Sequence, residues 1–450
     1  MRESSKMIRL YVFIFLSAFF LFPLLLKISP SQAMPPIQRE VLQNQLVVLL
    51  AEEHSLPFVT LQLLVDGGSR QDPSGKEGLA HLTAQGLLWG TAKRSARAIN
   101  EELDYMGASL QSSSGPDYSI LALKVLKKDL DRGLELFRDV LGGPLFPKEE
   151  VEREIAKSLA AIQAEEDEPG AVSEKEFQRA LFGDSPYGHP VIGTKESLGR
   201  IQPQDLSAYY RRYYHPDYSI LAVAGDITWD ELKTRLLVPM EKWPKANVSE
   251  PSYRGSFAKG PKAIKIQRTV SQASVIIGHE GVARGNPDFY ALSVMNFIFG
   301  GGGLSSRLME EIRNKRGLAY SVGSFFDPAK YAGSFQIVLQ TKNPSAREAI
   351  SLALQQMEKI RNEPVSAKEL EGAQKYLIGS FPMRVDSQGK LVNFLSQVEY
   401  FKLGLDYPQK YPGLIRAVTR EEVQRVARTY LHPDHCLQVV VADLKEAGME

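Results

Sequence analysis

The sequence predicts an α+β protein in which one folding unit is used twice. Three observations carry that expectation. First, residues 205–226 read DLSAYYRRYYHPDYSILAVAGD and residues 422–443 read EVQRVARTYLHPDHCLQVVVAD, at a constant offset and without a gap. In each copy an amphipathic helix runs into a His-Pro-Asp corner and then an apolar strand; proline cannot continue the helix and pushes the residue before it towards extended geometry. Second, each half mixes strand-like and helix-like segments, strands coming before pairs of helices. Third, residues 241–262, EKWPKANVSEPSYRGSFAKGPK, are rich in Pro, Ser, Gly and charge and lack apolar periodicity, which is linker composition.

Taken in order, the chain opens with a positive start (Arg2, Lys6, Arg9), then an apolar run from Leu10 to Leu26, closed by Lys27 and by small residues at Ser31 and Ala33. This is the pattern of an export signal, residues 1–33, cleaved after Ala33 or retained as a membrane anchor. Removing it takes away four bases (Arg2, Lys6, Arg9, Lys27) and one acid (Glu3). The 54 bases and 53 acids of the whole chain thus become 50 and 52, and the net charge moves from +1 to −2. Nothing in that balance suits a nucleic-acid binder. A 43% hydrophobic and 24% charged composition excludes a disordered or fibrous class. The single cysteine, Cys436, heads an apolar run and is expected to be buried at a strand, so an exported chain must depend on its core rather than on disulfides.

The first half is expected at 36–243, the linker at 244–259 and the second half at 260–450. Strands are expected at Val47–Leu50 and Phe58–Val65, and helices at Gly78–Trp89, Asp131–Leu141, Lys148–Glu165 and Asp205–Tyr214. In the second half, Ser274–Gly278 and Gly333–Thr341 read as strands, and Phe289–Phe299, Ser345–Asn362 and Ala367–Ile378 as helices.

One stretch is specific. Residues 66–91, DGGSRQDPSGKEGLAHLTAQGLLWGT, carry Gly78-Leu79-Ala80 and Gly90-Thr91 around a helix with His81. It resembles the segment of pitrilysin/insulinase-type zinc peptidases that holds the inverted motif His-x-x-Glu-His, and the resemblance extends to the C-terminus. In such a motif two histidines at i and i+4 reach one zinc ion from the same helix face, and the glutamate between them acts as base on the metal-bound water. The resemblance implies a third ligand, a glutamate, on a later helix.

In this chain the first histidine position is His81, the base position is Ala84, the second histidine position is Gln85 and the later ligand position is Ala161. The resemblance therefore implies no catalytic base, one retained ligand and no zinc in this chain. Glu154 matches a family acid that supports the site, and Glu165 lies on the same face as Ala161. A rearranged site of His81, Glu154 and Glu165 is the alternative; the plainer reading is a structural histidine and a solvated helix face.

Residues 299–323, FGGGGLSSRLMEEIRNKRGLAYSVG, resemble the family's C-terminal half, where a glycine-rich turn leads to an Arg…Tyr pair. Arg313 and Tyr320 fit the spacing, with Arg316 as the neighbouring alternative. In active assemblies this pair donates hydrogen bonds to the substrate carbonyl as it becomes an oxyanion. Gly300, Gly301, Gly302 and Gly303 lack the ending of a phosphate loop. By analogy with the glycine-rich stretch of a processing peptidase's non-catalytic subunit they line a peptide path, or else form a plain tight turn. His215 and His432 belong to the repeated corners and are expected to be structural; His54, His189, His279 and His435 lie in no ligand spacing.

The resemblance implies a non-catalytic subunit that pairs with an active, zinc-bearing homologue in an exported, periplasmic setting and helps to bind a peptide or unfolded protein. The alternatives are a peptide-binding scaffold without a peptidase partner and a peptidase with an altered metal site. Contact with a membrane is implied only if the N-terminal segment is retained.

Overall fold

The computed structural model describes residues 34–246 and 262–450. The export signal and most of the linker expected from the sequence lie outside the described residues. Among the described residues no helix is long and apolar enough to cross a membrane.

Residues Ile37–Glu450 form one unit built around two mixed sheets. The first contains β1 (Ile37–Val41), β2 (Val47–Glu52), β3 (Phe58–Val65), β4 (Ser109–Ser114), β5 (Ser119–Leu126) and β6 (Ser219–Gly225), in the order β1-β2-β6-β3-β5-β4. The second contains β7 (Lys262–Gln267), β8 (Gln272–Glu280), β9 (Ala319–Pro328), β10 (Gly333–Lys342) and β11 (Leu437–Ala442), in the order β7-β11-β8-β10-β9. Setting β7, β11, β8, β10 and β9 in place of β2, β6, β3, β5 and β4 turns the first order into the second, short of β1. The parallel pairs correspond too: β2 with β6, and β7 with β11. The duplication read from one stretch of sequence therefore extends through both sheets.

The helices repeat in the same way. The first half carries α1 (Leu79–Gly86), α2 (Ala96–Met106), α3 (Leu130–Gly142), α4 (Lys148–Glu165), α5 (Pro169–Phe182) and α6 (Pro203–Tyr213). The second carries α7 (Phe289–Asn296), α8 (Ala346–Asn362), α9 (Ala367–Gly379), α10 (Gln388–Tyr400), α11 (Tyr407–Arg416) and α12 (Arg420–Tyr430). The helix expected over Phe289–Phe299 stays α-helical only to Asn296 and then widens into a π-type turn through Phe297–Gly301.

Strand alternation explains how the layers are assigned. Val59, Leu61, Leu63 and Val65 of β3 enter the core shared with α1 and α3. Thr60 and Gln62 lie on the other face. There Thr60 Oγ1 donates to Gln388 Oε1 (3.2 Å) and Gln62 Nε2 donates to Asn393 Oδ1 (3.3 Å), both on α10 from the second half. The second sheet is completed reciprocally. Ile276, Leu437 and Val439 pack with Phe177, Leu181 and Phe182 of α5, from the first half. Gly278 makes room for that helix, since a Cβ there would stand 2.7 Å from Phe177 Cζ. The two halves thus exchange equivalent helices across the linker.

The first of the two repeated corners is tied into the fold through its histidine. His215 Nε2 is 2.7 Å from the Arg211 carbonyl in the last turn of α6, and Nδ1 is 2.9 Å from the Pro244 carbonyl. Cys436 is 1% exposed, one residue ahead of β11, and burial pushes its thiol up to about 12.

Candidate functional site

Helix α1 is positioned by its N-terminus. Gly78 takes a left-handed conformation (φ 98°) and lies against the Ile192 carbonyl, where a Cβ would stand at 2.7 Å. Asp72 accepts from the backbone N–H groups of Gly78 (2.8 Å) and Ala80 (2.7 Å), satisfying donors that the first turn leaves unpaired. Burial pushes the Asp72 carboxyl up to about 8, against the pull of those N–H groups.

This places His81 half-buried on α1, facing α4. Burial holds its imidazole below the ordinary range, against the attraction of the Glu154 carboxylate. Glu154 accepts from Lys157 Nζ at 2.9 Å, so its charge is already engaged. Ala84 is fully buried, Gln85 half-buried, and Ala161 and Glu165 exposed on α4. These positions offer one imidazole, one neutral amide and a methyl group, and a catalytic zinc needs three good donors. The set does not fit zinc. Among the described residues no group of three or more His, Cys, Asp or Glu side chains is placed to hold a metal ion.

The second half presents a different arrangement. Arg313 lies on a π-type turn, Met309–Asn314, and Tyr320 is the second residue of β9. The guanidinium stands over the Tyr320 ring at 5.9 Å, and Nη1 donates to Met309 Sδ at 3.9 Å. Among the described residues no carboxylate pairs with Arg313. Arg316, by contrast, is bound to Glu311 at 3.0 Å and Glu348 at 3.6 Å. Tyr320 is 75% exposed.

The glycine stretch is built into this region by close packing. A Cβ on Gly300 would stand 2.3 Å from Ser324 Oγ on β9, one on Gly301 2.6 Å from Asn296 Nδ2, and one on Gly302 2.6 Å from the Phe297 carbonyl. Gly303 is left-handed at φ 57° with open space beside it. Beyond it Leu304 is 67% exposed. No hydrogen bond, ion pair or ring contact joins Arg313 or Tyr320 to His81, Glu154 or Glu165 among the described residues.

A cavity of about 680 Å³ opens between the halves. Glu165, Glu174 and His189 line it from the first half, and Arg284, Asp327 and Gln397 from the second.

One group of residues escaped the sequence reading. Asp66, Arg70 and Asp117 from the first half meet Lys330 and Tyr400 from the second. Arg70 pairs with Asp66 and lies 3.4 Å from Asp117; Lys330 Nζ lies 2.7 Å from Asp66; Tyr400 donates to Asp66 at 2.8 Å and Tyr187 to Asp117 at 2.6 Å. Two acids and two bases balance in a buried seam. Asp66 and Arg70 stand in the motif stretch, but their partners are far along the chain and no spacing announces them.

Two sheets of matching strand order, each completed by a helix from the other half, define a chain of the duplicated α+β class. Residues 47–195 match the family model for insulinase (peptidase family M16), and residues 200–377 match that for the peptidase M16 inactive domain. The chain belongs to the insulinase, or M16, peptidase family. It is 27% identical over 413 residues to an uncharacterized zinc protease of Streptomyces coelicolor, covering 90% of this chain and 89% of that protein. It is 26% identical over 433 residues to a protein of Helicobacter pylori named a non-peptidase homolog, covering 95% and 99%. The crystal structure of a peptidase M16 inactive domain from Pseudomonas fluorescens superposes with a TM-score of 0.85 at 28% identity, covering 90% of this chain and 98% of that one.

Proposed function

We propose that this chain is a non-catalytic M16 subunit that pairs with a zinc-bearing homologue and supplies Arg313 and Tyr320 to the peptide that the homologue cleaves. The observation that carries the reading is the contrast between the halves. Ala84, Gln85 and Ala161 cannot bind zinc or activate water. Arg313 and Tyr320 stand together, and Arg313 has no carboxylate partner among the described residues, while Tyr320 is 75% exposed. A guanidinium and a phenol are good donors to a developing oxyanion. The cavity between the halves supports a route for peptide, and the non-peptidase name of the H. pylori relative supports the non-catalytic part. On this reading zinc belongs to the partner, and the signal-like pattern of residues 1–33 supports a setting outside the cytoplasm.

The test is reconstitution with a family member that has an intact His-x-x-Glu-His. Arg313→Ala and Tyr320→Phe are expected to lower kcat of the complex by roughly 10- to 100-fold, somewhat less than the loss of a dedicated oxyanion donor. Zinc content should stay unchanged. Full activity in both variants rules out the role in trans. Zinc and peptidase activity in the lone chain, both lost in His81→Ala, would overturn the non-catalytic reading.

A further inference from the structure

A second cavity, of about 370 Å³, lies in the second half between α10, the turn before it and the start of α11. Its size is at the small end of ligand pockets, roughly 300–1,000 Å³. Phe289, Phe394, Phe401 and Tyr407 form apolar walls. The charged side chains that line it are Arg284, Arg384 and Lys390, and no carboxylate is among them. Lys390 is neutralised by Asp386 at 2.9 Å. The two arginines are not. Arg284 lies over the Phe289 ring at 3.8 Å and donates to Tyr407 Oη at 3.4 Å; Arg384 lies over Phe381 and Tyr411 at 5.3 and 5.2 Å and donates to Tyr411 Oη at 3.5 Å. Neither has a carboxylate partner among the described residues.

Two guanidinium groups held by aromatic faces beside an apolar cavity are complementary to a carboxylate attached to an apolar group. Contact with the rings and one bond to a tyrosine hydroxyl leave the other N–H groups of each guanidinium available, and a carboxylate accepts from such groups in a two-point bond. Arg284 also lines the larger cavity between the halves, together with Gln397 and Phe401, so the two spaces adjoin. A peptide in the larger cavity can therefore end in the smaller one.

We propose that this second cavity is a binding site for the C-terminal residue of a peptide, with the free carboxylate between Arg284 and Arg384 and an apolar side chain among Phe289, Phe394 and Phe401. The site lies wholly within this chain and binds without the pairing described above. Its failure therefore leaves that reading standing, and the reverse also holds.

The test is titration calorimetry on the purified full-length chain with N-acetyl-Gly-Leu-Phe as the free acid, the same peptide as its amide, decanoate and inorganic phosphate. The acid is expected to bind at least about 10-fold more tightly than the amide, as one charge-assisted contact supplies. Arg284→Gln and Arg384→Gln should each abolish that preference, while Lys390→Gln keeps it. Circular dichroism confirms that each variant is folded; Arg384 is exposed, so its replacement leaves the core intact. Equal binding of acid and amide, no binding of either, or decanoate or phosphate binding more tightly than the peptide acid overturns the proposal.

Discussion

At the scale of single residues, the first half offers one imidazole, His81, where a catalytic zinc takes three donors. Gln85 and Ala161 sit on α1 and α4, which pack together, and no hydrogen bond engages the Gln85 side chain among the described residues. Gln85→His with Ala161→Glu is therefore expected to join His81 in a three-ligand set. Metal analysis should then find close to one zinc per chain, without peptidase activity because Ala84 supplies no base. A double variant that stays free of zinc would show that the helices themselves have drifted. His279 offers a second residue-scale outcome. It is 5% exposed, with Nδ1 2.6 Å from the Glu280 carbonyl, and Nε2 accepts from the His432 N–H at 3.2 Å. Burial lowers its pKa from 6.5 to about 4. Between those values the unfolded chain binds the proton and the folded chain does not, so stability falls as pH drops through 6.5 towards 4. The share of His279 is at most about 3–4 kcal/mol, at 1.36 kcal/mol for each pH unit between 6.5 and 4. His279→Gln should flatten that part of the pH–stability curve in urea titrations; an unchanged slope would remove His279 as its source.

At the scale of elements, the turn through Phe297–Gly303 is fixed by what a side chain would strike. Gly300→Ala is expected to cost about 1–3 kcal/mol, because its Cβ meets both Ser324 Oγ and the Ser324 backbone nitrogen on β9. Gly303→Ala should cost about 1–2 kcal/mol from its left-handed backbone alone. Thermal unfolding of the two variants tests this, and a Gly300→Ala protein as stable as its parent would mean that β9 can retreat from the turn. Several elements were legible in the sequence because their signals are local. Lys148–Glu165 and Phe58–Val65 both fall at the predicted bounds, although the strand is buried on both faces because α10 covers its Thr60–Gln62 side. The strand β9 and helices α5 and α10 were not. Their apolar residues face surfaces supplied by distant parts of the chain, so their own periodicity does not say what they cover. The same applies to Arg70: its motif was visible, but the Lys330 and Tyr400 side of the seam was not. That Ala84, Gln85 and Ala161 are poor donors was legible residue by residue, because it depends only on which side chains stand at those positions. The free guanidinium of Arg313 against the paired one of Arg316 needed the structure.

At the scale of the whole molecule, the exchange of α5 and α10 makes the halves depend on each other. Expressed alone, 34–246 leaves the Thr60–Gln62 face of its sheet uncovered, and 262–450 leaves Ile276 and Val439 without Phe177. Neither is expected to unfold cooperatively alone. Mixed in equal amounts they should form a 1:1 complex with a sharp thermal transition, measurable by circular dichroism and size-exclusion chromatography. A cooperative transition in either isolated half would mean that the exchanged helix is an accessory. The seam of Asp66, Asp117, Arg70 and Lys330 works in the same direction, since separating the halves takes Lys330 and Tyr400 away from Asp66 and leaves two acids sharing Arg70 alone.

The exchanged helices also carry a record of descent. A single copy of this unit cannot finish its own sheet, and each copy here is finished by the helix that its twin holds at the equivalent place. An ancestor with one copy per chain could have been complete only as a symmetric pair of chains trading that helix. Gene duplication and fusion then turned a contact between molecules into one within a molecule. After fusion the two copies no longer had to stay alike, so equivalent positions in the two halves were free to take different residues.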